Sequence, residues 1–435
     1  MLSPALSPAP KPSYAAVLRA PDVPRTFGAA LLGRISYGIV FLALTVALTQ
    51  ALDSYAWAGV AIALFGLSTS LLAPVRAGLI DRHGPRRVLR PLATVHAALL
   101  AALAAATWTP GAAAWILLPL TCLAGAAAPP LGPVMRAVWS ELLPDAALRQ
   151  RAFSLDTVCE ELLYVIGPVL AGVAISLGRP AAGVAASAVL VLAGTLLMTS
   201  SPALRRHPGT PGESTSTGTE DLPRGGDAAP APGDRPRRRR PGRHPLSGPV
   251  LVTGGMGLAL GAAELLIVVS AERHHQVAAV SWLQACLSAG GAAGGLAYGT
   301  RVLKGPTGPR LALLGLALAL ALAVTGLAPG LLLLAVGIGT VGICVAPALT
   351  TAYLAADEAA APHNRVRAGT WVNTAFTVGT SAGTASVGLL AGHLPLSACF
   401  AAAALPLAVS AAVALGRSRH APRTEPRPAA VEGRS

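Results

Sequence analysis

Apolar runs of membrane-spanning length alternate along the chain with short polar connectors, and the alternation breaks once, near the middle. Six runs precede the break, at about 27–50, 55–75, 89–109, 112–135, 154–178 and 180–200. Six follow it, at about 248–270, 277–300, 310–328, 330–352, 369–392 and 395–415. About 20 mostly apolar residues carry a helix across a bilayer, so the pattern predicts twelve spanning helices, called spans 1 to 12 below. Turn-forming stretches such as "TWTPG", "GRP" and "LAPG" join several of them. The break at 201–247 is rich in Pro, Gly, Ser, Thr and charge and has no apolar periodicity. It predicts a disordered linker, because it cannot bury enough apolar surface to offset ordering. The expected organisation is therefore an N-terminal segment (1–26), a six-helix bundle (27–200), the linker (201–247), a second six-helix bundle (248–416) and a tail (417–435). Within the first segment, "SYAAVLRA" (Ser13–Ala20) predicts a short surface helix.

Composition agrees with a membrane protein. The 435 residues are 53% hydrophobic and only 12% charged, against about 25% charged in soluble domains. Gly and Pro recur inside the apolar runs, which membrane helices tolerate better than soluble ones. The first run is too long for the h-region of a cleaved signal peptide. The five cysteines (Cys122, Cys159, Cys286, Cys344, Cys399) are scattered through apolar segments without metal-ligand spacing and read as small hydrophobes.

Charge then sets an orientation. The formal net charge is +14, nearly all from Arg, with Lys only at Lys11 and Lys304. One set of connectors holds Arg76, Arg82, Arg86, Arg87 and Arg90, then Arg149 and Arg151, the Arg-rich linker, Arg301, Lys304 and Arg310, and Arg365 and Arg367. The alternate set holds only Arg179 and Arg273. The positive-inside rule then predicts an even count of spans with both termini cytoplasmic. An Arg-rich, Lys-poor composition fits a GC-rich bacterial genome, hence a bacterial inner membrane. The "RRRR" run (Arg237–Arg240) reads as an orientation signal and a contact for anionic headgroups rather than for nucleic acid.

The halves look duplicated. "RQRAFSLDTVCEELLYVIGPVLAG" (Arg149–Gly172) resembles "RVRAGTWVNTAFTVGTSAGTASVG" (Arg365–Gly388) at a constant offset of 216 positions. Arg149/Arg365, Arg151/Arg367, Gly167/Gly383, Gly172/Gly388 and Glu141/Asp357 all keep that offset. Repeated helical halves with a site between them are a transporter architecture.

The connector between spans 2 and 3 reads "AGLIDRHGPRRVLRP" (Ala77–Pro91). Its Leu79, Asp81, Arg82, Gly84, Arg86 and Arg87 resemble the loop motif G-x-L-x-D-R-x-G-R-R/K of the major facilitator superfamily, with Ala77 and Pro85 departing from it. "LLGRISYGI", "PPLGPVMRAVWSELLP" and "AFSLDTVCEELLYVIGPVLAG" are similar to actinobacterial members of unassigned substrate. The resemblance implies an all-α fold of twelve transmembrane helices in two pseudo-symmetric six-helix bundles. It also implies that Asp81 meets the start of span 11 near Gly369 and Thr370, together with an Arg such as Arg136, as a conformational latch. A topological charge cluster is the plainer reading of the same residues. Gly167, Pro168 and Gly172 partly match the helix-packing pattern of the family's antiporters, with Ala171 in place of a Gly. The family's Arg early in span 4 has no counterpart in "WILLPLTCLAGAAAPP".

Charges inside spans are expensive and are functional candidates. Spans 1, 4, 7 and 10 line the cavity in the family, which puts Glu264 first as a proton or cation site. Arg34 is its basic counterpart, as a substrate or carboxylate partner or as a residue snorkelling to the cytoplasmic face. Asp156 is expected to pair with Arg of adjacent loops, while Glu160 or Glu161 reaches the cavity. Tyr37, Asn373, Trp282, Gln284 and Tyr353 are candidate substrate contacts, with ordinary helix packing the plainer reading, and His96 reads as a packing residue. "ERHH" (Glu272–His275) lacks the further ligand a metal needs. Neither a phosphate-binding G-x-x-x-x-G-K-[ST] loop nor an H-E-x-x-H motif occurs, which disfavours an ATP-driven pump and a zinc-dependent enzyme. The expectation is a monomeric, cofactor-free secondary transporter of a small molecule, driven by the proton gradient and exporting an amphipathic compound. Uptake by symport, or a receptor on the same scaffold, is the alternative.

Overall fold

A computed structural model describes residues 13–109, 111–205, 246–276, 278–301, 303, 305–390 and 393–419. Most of the expected linker, Arg237–Arg240, Lys11, Lys304 and the chain beyond Arg419 lie outside the described residues, as do residues 1–12. The described residues form helices and no strand. In chain order they are α1 (Tyr14–Arg19), α2 (Val23–Leu52), α3 (Tyr55–His83), α4 (Pro85–Ala106), α5 (Ala114–Ala127), α6 (Leu131–Leu142), α7 (Ala146–Ser176), α8 (Pro180–Ser200), α9 (Pro202–Arg205), α10 (Ser247–Arg273), α11 (Ala279–Thr300), α12 (Thr307–Thr325), α13 (Leu331–Ala359), α14 (Arg365–Leu390) and α15 (Leu396–Arg419). Each predicted span is present, span 4 as the pair α5 and α6. Among the described residues, ten segments are long and apolar enough to cross a membrane. The other two, α11 and α14, have spanning length, but Gly, Ser, Thr and Asn dilute their apolar character.

Several helices outrun their apolar windows at the end that carries Arg82, Arg149, Arg301 and Arg365, called the basic end below. A helix keeps its backbone bonds after leaving the hydrocarbon, so charge alone does not end it. The connector "AGLIDRHGPRRVLRP" is the clearest case. It is helical except at Gly84, because α3 runs through Asp81 and Arg82 to His83 and α4 starts at Pro85. Gly84 has φ +83°, a conformation a Cβ would strain. Pro85 at the first helical position needs no hydrogen-bond partner for its nitrogen.

Span 4 departs from the expected continuous helix. Pro129 and Pro130 follow Ala128, and neither can donate a backbone hydrogen bond, so the Gly125 and Ala126 carbonyls lose their usual helical donors. Arg76 satisfies both, at 3.0 Å to the Gly125 oxygen and 2.6 Å to the Ala126 oxygen, and also holds the Thr69 oxygen at 2.6 Å. His96 Nδ1 lies 2.8 Å from the Ala124 oxygen. Arg76 is therefore not a loop charge as expected. It is buried at 5% exposure and closes a helix end inside the apolar layer, where an unsatisfied carbonyl is costly.

Helices α2 to α8 form one half and α10 to α15 the other. Within each half, small residues let backbones approach closely. Gly167 of α7 lies against the Gly38 backbone of α2, and its counterpart Gly383 of α14 lies against the Leu258 carbonyl of α10. Gly172, expected to pack in the same way, has open space where a Cβ would sit. Pro168 faces outward. Gly167→Ala is therefore expected to destabilise the purified protein by about 1–3 kcal/mol through overpacking, while Gly172→Ala leaves it unchanged. Thermal unfolding of the two variants in detergent checks the contrast.

Candidate functional site

The halves meet at the basic end through hydrogen bonds between helix termini and side chains. Asp81 accepts from the backbone N–H groups of Val366 at 3.3 Å and Arg367 at 2.9 Å. These lie in the first turn of α14, where free N–H groups and the helix dipole favour an anion. The contact is one turn ahead of the expected Gly369 and Thr370, because α14 starts at Arg365. The pseudo-symmetric junction, between α7 and α11, reverses the roles. Gln150 donates to the Tyr298 and Arg301 carbonyls at 3.1 and 2.9 Å, Arg151 to the Thr300 carbonyl at 3.1 Å and Ser154 to the Gly295 carbonyl. Arg151 and Arg367 occupy matching positions in the repeat, yet only Arg151 works through its side chain here.

Arg136, expected beside Asp81, turns instead into the interior as part of α6. Its Nε is 3.0 Å from Asp156 Oδ2, close enough for an ion pair although not aligned as a hydrogen bond, and its Nη2 donates to Glu160. Arg34 of α2 donates to the same Asp156 at 2.7 and 3.3 Å and lies 3.7 Å from Glu160. Two guanidinium groups and two carboxylates thus form one compact network whose charges cancel. Arg34 and Arg136 are each 3% exposed and Asp156 is fully buried. Arg34 is neither snorkelling nor free, and Asp156 pairs with these two rather than with loop arginines. Room for the Arg34 guanidinium exists because residue 132 is Gly; a Cβ there would lie 2.7 Å from Arg34 Nη2.

The network also touches the other half. The Arg136 guanidinium stacks over the Tyr353 ring of α13, 3.5 Å from its centre, a contact worth about 2 kcal/mol when desolvated. The Tyr353 hydroxyl donates to Asn373 of α14 at 3.3 Å. Tyr37 donates to the Pro129 carbonyl at the break in span 4.

Beyond this network, called the floor below, α7 becomes more exposed towards the opposite end. Gln150 to Val158 are buried, Leu155 excepted, whereas most residues from Leu162 to Val173 are exposed, Gly167 and Ala171 being the buried ones. Glu161 of α7, half-buried, adjoins that stretch, and Glu264 of α10 is exposed. They come from opposite halves, and Glu161 feels the charge of Glu264 as well as that of Glu160. Tyr164 is within electrostatic reach of Glu160, Glu161 and Tyr353. Neither Glu161 nor Glu264 has an ion-pair or hydrogen-bond partner among the described residues.

Of the sequence-derived candidates, Arg34, Glu160, Tyr37 and Asn373 therefore gather at or beside the floor, and Glu161 and Glu264 stand above it. Asp81 lies at the basic end. Arg82 and Arg87 are exposed there, and Arg86 is half-buried. Glu272, His274 and His275 are exposed, and no group able to hold a metal occurs among the described residues. Arg136 and Tyr353 as joint members of one network were not foreseen. A signal was present: "VMRAVWSELL" after the two prolines continues at helical spacing, so Arg136 lies inside span 4 and not after it.

Asp156→Ala would leave two buried guanidinium groups short of a carboxylate. Breaking such a network is expected to cost about 3–5 kcal/mol, seen as a large loss of melting temperature. Glu160→Gln should cost less, since Glu160 is 25% exposed and solvent takes up part of the charge.

The sequence profile of the Major Facilitator Superfamily matches residues 26–263. Among solved structures, the human organic anion transporter MFSD10 (TETRAN) superposes with a TM-score of 0.66 at 14% identity, covering 91% of this chain and 99% of that one. A bacterial homologue of the iron transporter ferroportin in an outward-facing state gives 0.70 at 13% identity, covering 91% and 99%. A single-site variant of the E. coli fucose:proton symporter FucP gives 0.58 at 13% identity, covering 89% and 98%. At these identities the likeness is one of fold. No curated protein sequence matches the chain.

Proposed function

This chain belongs to the Major Facilitator Superfamily, and on that premise we propose that it is a proton-coupled exporter of a small amphipathic compound, working by alternating access between its two halves. The observation that carries the coupling is the Glu161–Glu264 pair: two carboxylates from opposite halves, without basic partners, above a floor whose own charges cancel. Like charges in a narrowing, water-poor cleft are relieved by a proton or a cation. Closing the cleft would bring the two together and favour uptake of a proton, and reopening it to the other side would let the proton leave. The partial antiporter pattern at Gly167, Pro168 and Gly172 supports export. The Arg excess at the basic end supports a cytoplasmic placement of that end and of both termini, in a bacterial inner membrane. Asp81, with Arg82, Gly84, Arg86 and Arg87 around it, then serves as a latch that holds the cytoplasmic end shut. Arg136 supports that closure through Tyr353 rather than through Asp81.

The direct test is transport in proteoliposomes containing the pH dye pyranine, challenged with a panel of amphipathic organic compounds under an imposed pH gradient. Compound-dependent proton movement is expected in the native protein and its loss in Glu264→Gln. An unchanged proton dependence in that variant removes Glu264 as the coupling site. Asp81→Asn weakens the acceptor that faces the α14 N-terminus. It is expected to change the transport rate several-fold while leaving the melting temperature nearly unchanged, and an unaltered rate contradicts the latch.

A further inference from the structure

The short helix α1 belongs to neither repeat, yet it reaches across the junction between them. Its base is fixed to the first half. Val17 is fully buried in a core that includes Val23, Phe27, Trp139 and Phe153, and Ser13 caps the helix by accepting from the Ala16 N–H at 3.0 Å. The turn into α2 is tight, with Asp22 at φ 66°. Its tip touches the second half. The Tyr14 hydroxyl donates to the Leu296 carbonyl of α11 at 2.8 Å. It does so through a notch that exists because residue 299 is Gly, where a Cβ would collide with the Tyr14 hydroxyl and crowd Ser154 at 3.0 Å. Burial pushes the Tyr14 phenol above its ordinary value of 10.0, so it remains a donor across the physiological range. Ser154, on the first half, donates to the neighbouring Gly295 carbonyl, so α1 and α7 hold the same stretch of α11.

We propose that α1 is a strap: anchored on the first half and hooked by Tyr14 into the Gly299 notch of the second, it stabilises the state closed at the basic end. Opening that end carries α11 away from α7, which must break the Tyr14–Leu296 bond and empty the notch. The strap therefore biases the resting equilibrium whichever way substrate moves, and it does not depend on proton coupling. A purely structural α1, packed only to steady its own half, would leave that equilibrium unmoved.

Double electron–electron resonance on the full-length protein in lipid nanodiscs tests this. Spin labels are placed at Ala146→Cys and Leu303→Cys, exposed positions on either side of the junction, with the five native cysteines replaced by alanine. The native sequence at position 14 should give mainly the short distance. Losing one partly buried hydrogen bond should raise the long-distance fraction about threefold to tenfold, so Tyr14→Phe is expected to shift the distribution and Tyr14→Ala to shift it further. Gly299→Ala, which fills the notch from the opposite side, should shift it in the same direction. Tyr14→Phe keeps the ring and its packing, so the comparison stands even where Tyr14→Ala folds poorly. Distributions in the folded Tyr14→Phe and Gly299→Ala proteins that match the parent, or that move to shorter distance, overturn the proposal.

Discussion

In hydrocarbon there is no water to satisfy a charge or a broken helix, so each polar group must find a partner within the protein. That constraint explains the three polar clusters within and at the edge of the apolar layer. At the break in span 4, Arg76 takes the Gly125 and Ala126 carbonyls that Pro129 and Pro130 release, and His96 takes that of Ala124. At the floor, Arg34 and Arg136 are neutralised by Asp156 and Glu160. At the basic end, the exposed terminus of α14 is met by Asp81, and that of α11 by Gln150 and Arg151. In the first two cases the partners are supplied within one half. In the third they are supplied by the opposite half.

That difference separates the rigid parts from the movable ones. Polar pairs satisfied within a half travel with it and need not break. The helix-terminus contacts cross the junction and lie at the boundary of the apolar layer, where water can replace them at modest cost. The Arg136–Tyr353 stack lies between these classes: its guanidinium is held by its own half, and only its face is offered to the other. Such an arrangement suits a rocking motion, in which two packed bundles separate at one end while their internal networks stay whole.

Much of the architecture was legible in the sequence because apolar run length and Arg bias are strong, local signals. The order of the long helices follows from them, and the repeat relating Gly167 to Gly383 from the constant 216-position offset. Two features were hidden for physical reasons. Helix continuity through charged flanks does not depend on hydropathy, so the stretch around Asp81 read as a loop although only Gly84 leaves the helix. The tandem prolines lie inside an apolar run, and hydropathy alone cannot show that the helix stops and resumes there. The first put Arg76 in a loop, and the second left Arg136 just outside span 4. Pairing between distant segments, such as Arg34 with Asp156, requires three-dimensional proximity that no spacing rule encodes. The unpartnered Glu264, by contrast, stood out from the start, because a single acid inside a long apolar helix is rare for energetic reasons.

The account stands most directly on whether the two ends of the molecule open in alternation. Distances measured by double electron–electron resonance in nanodiscs, at pH 5 and pH 8, would decide it, with one label pair at the basic end (Ala146 and Leu303) and another at the opposite end (Leu177 and His274). The account predicts that the two distances change in opposite directions as the carboxylates between the halves gain or lose protons. Distances that stay fixed at both ends, or that lengthen and shorten together, would contradict it.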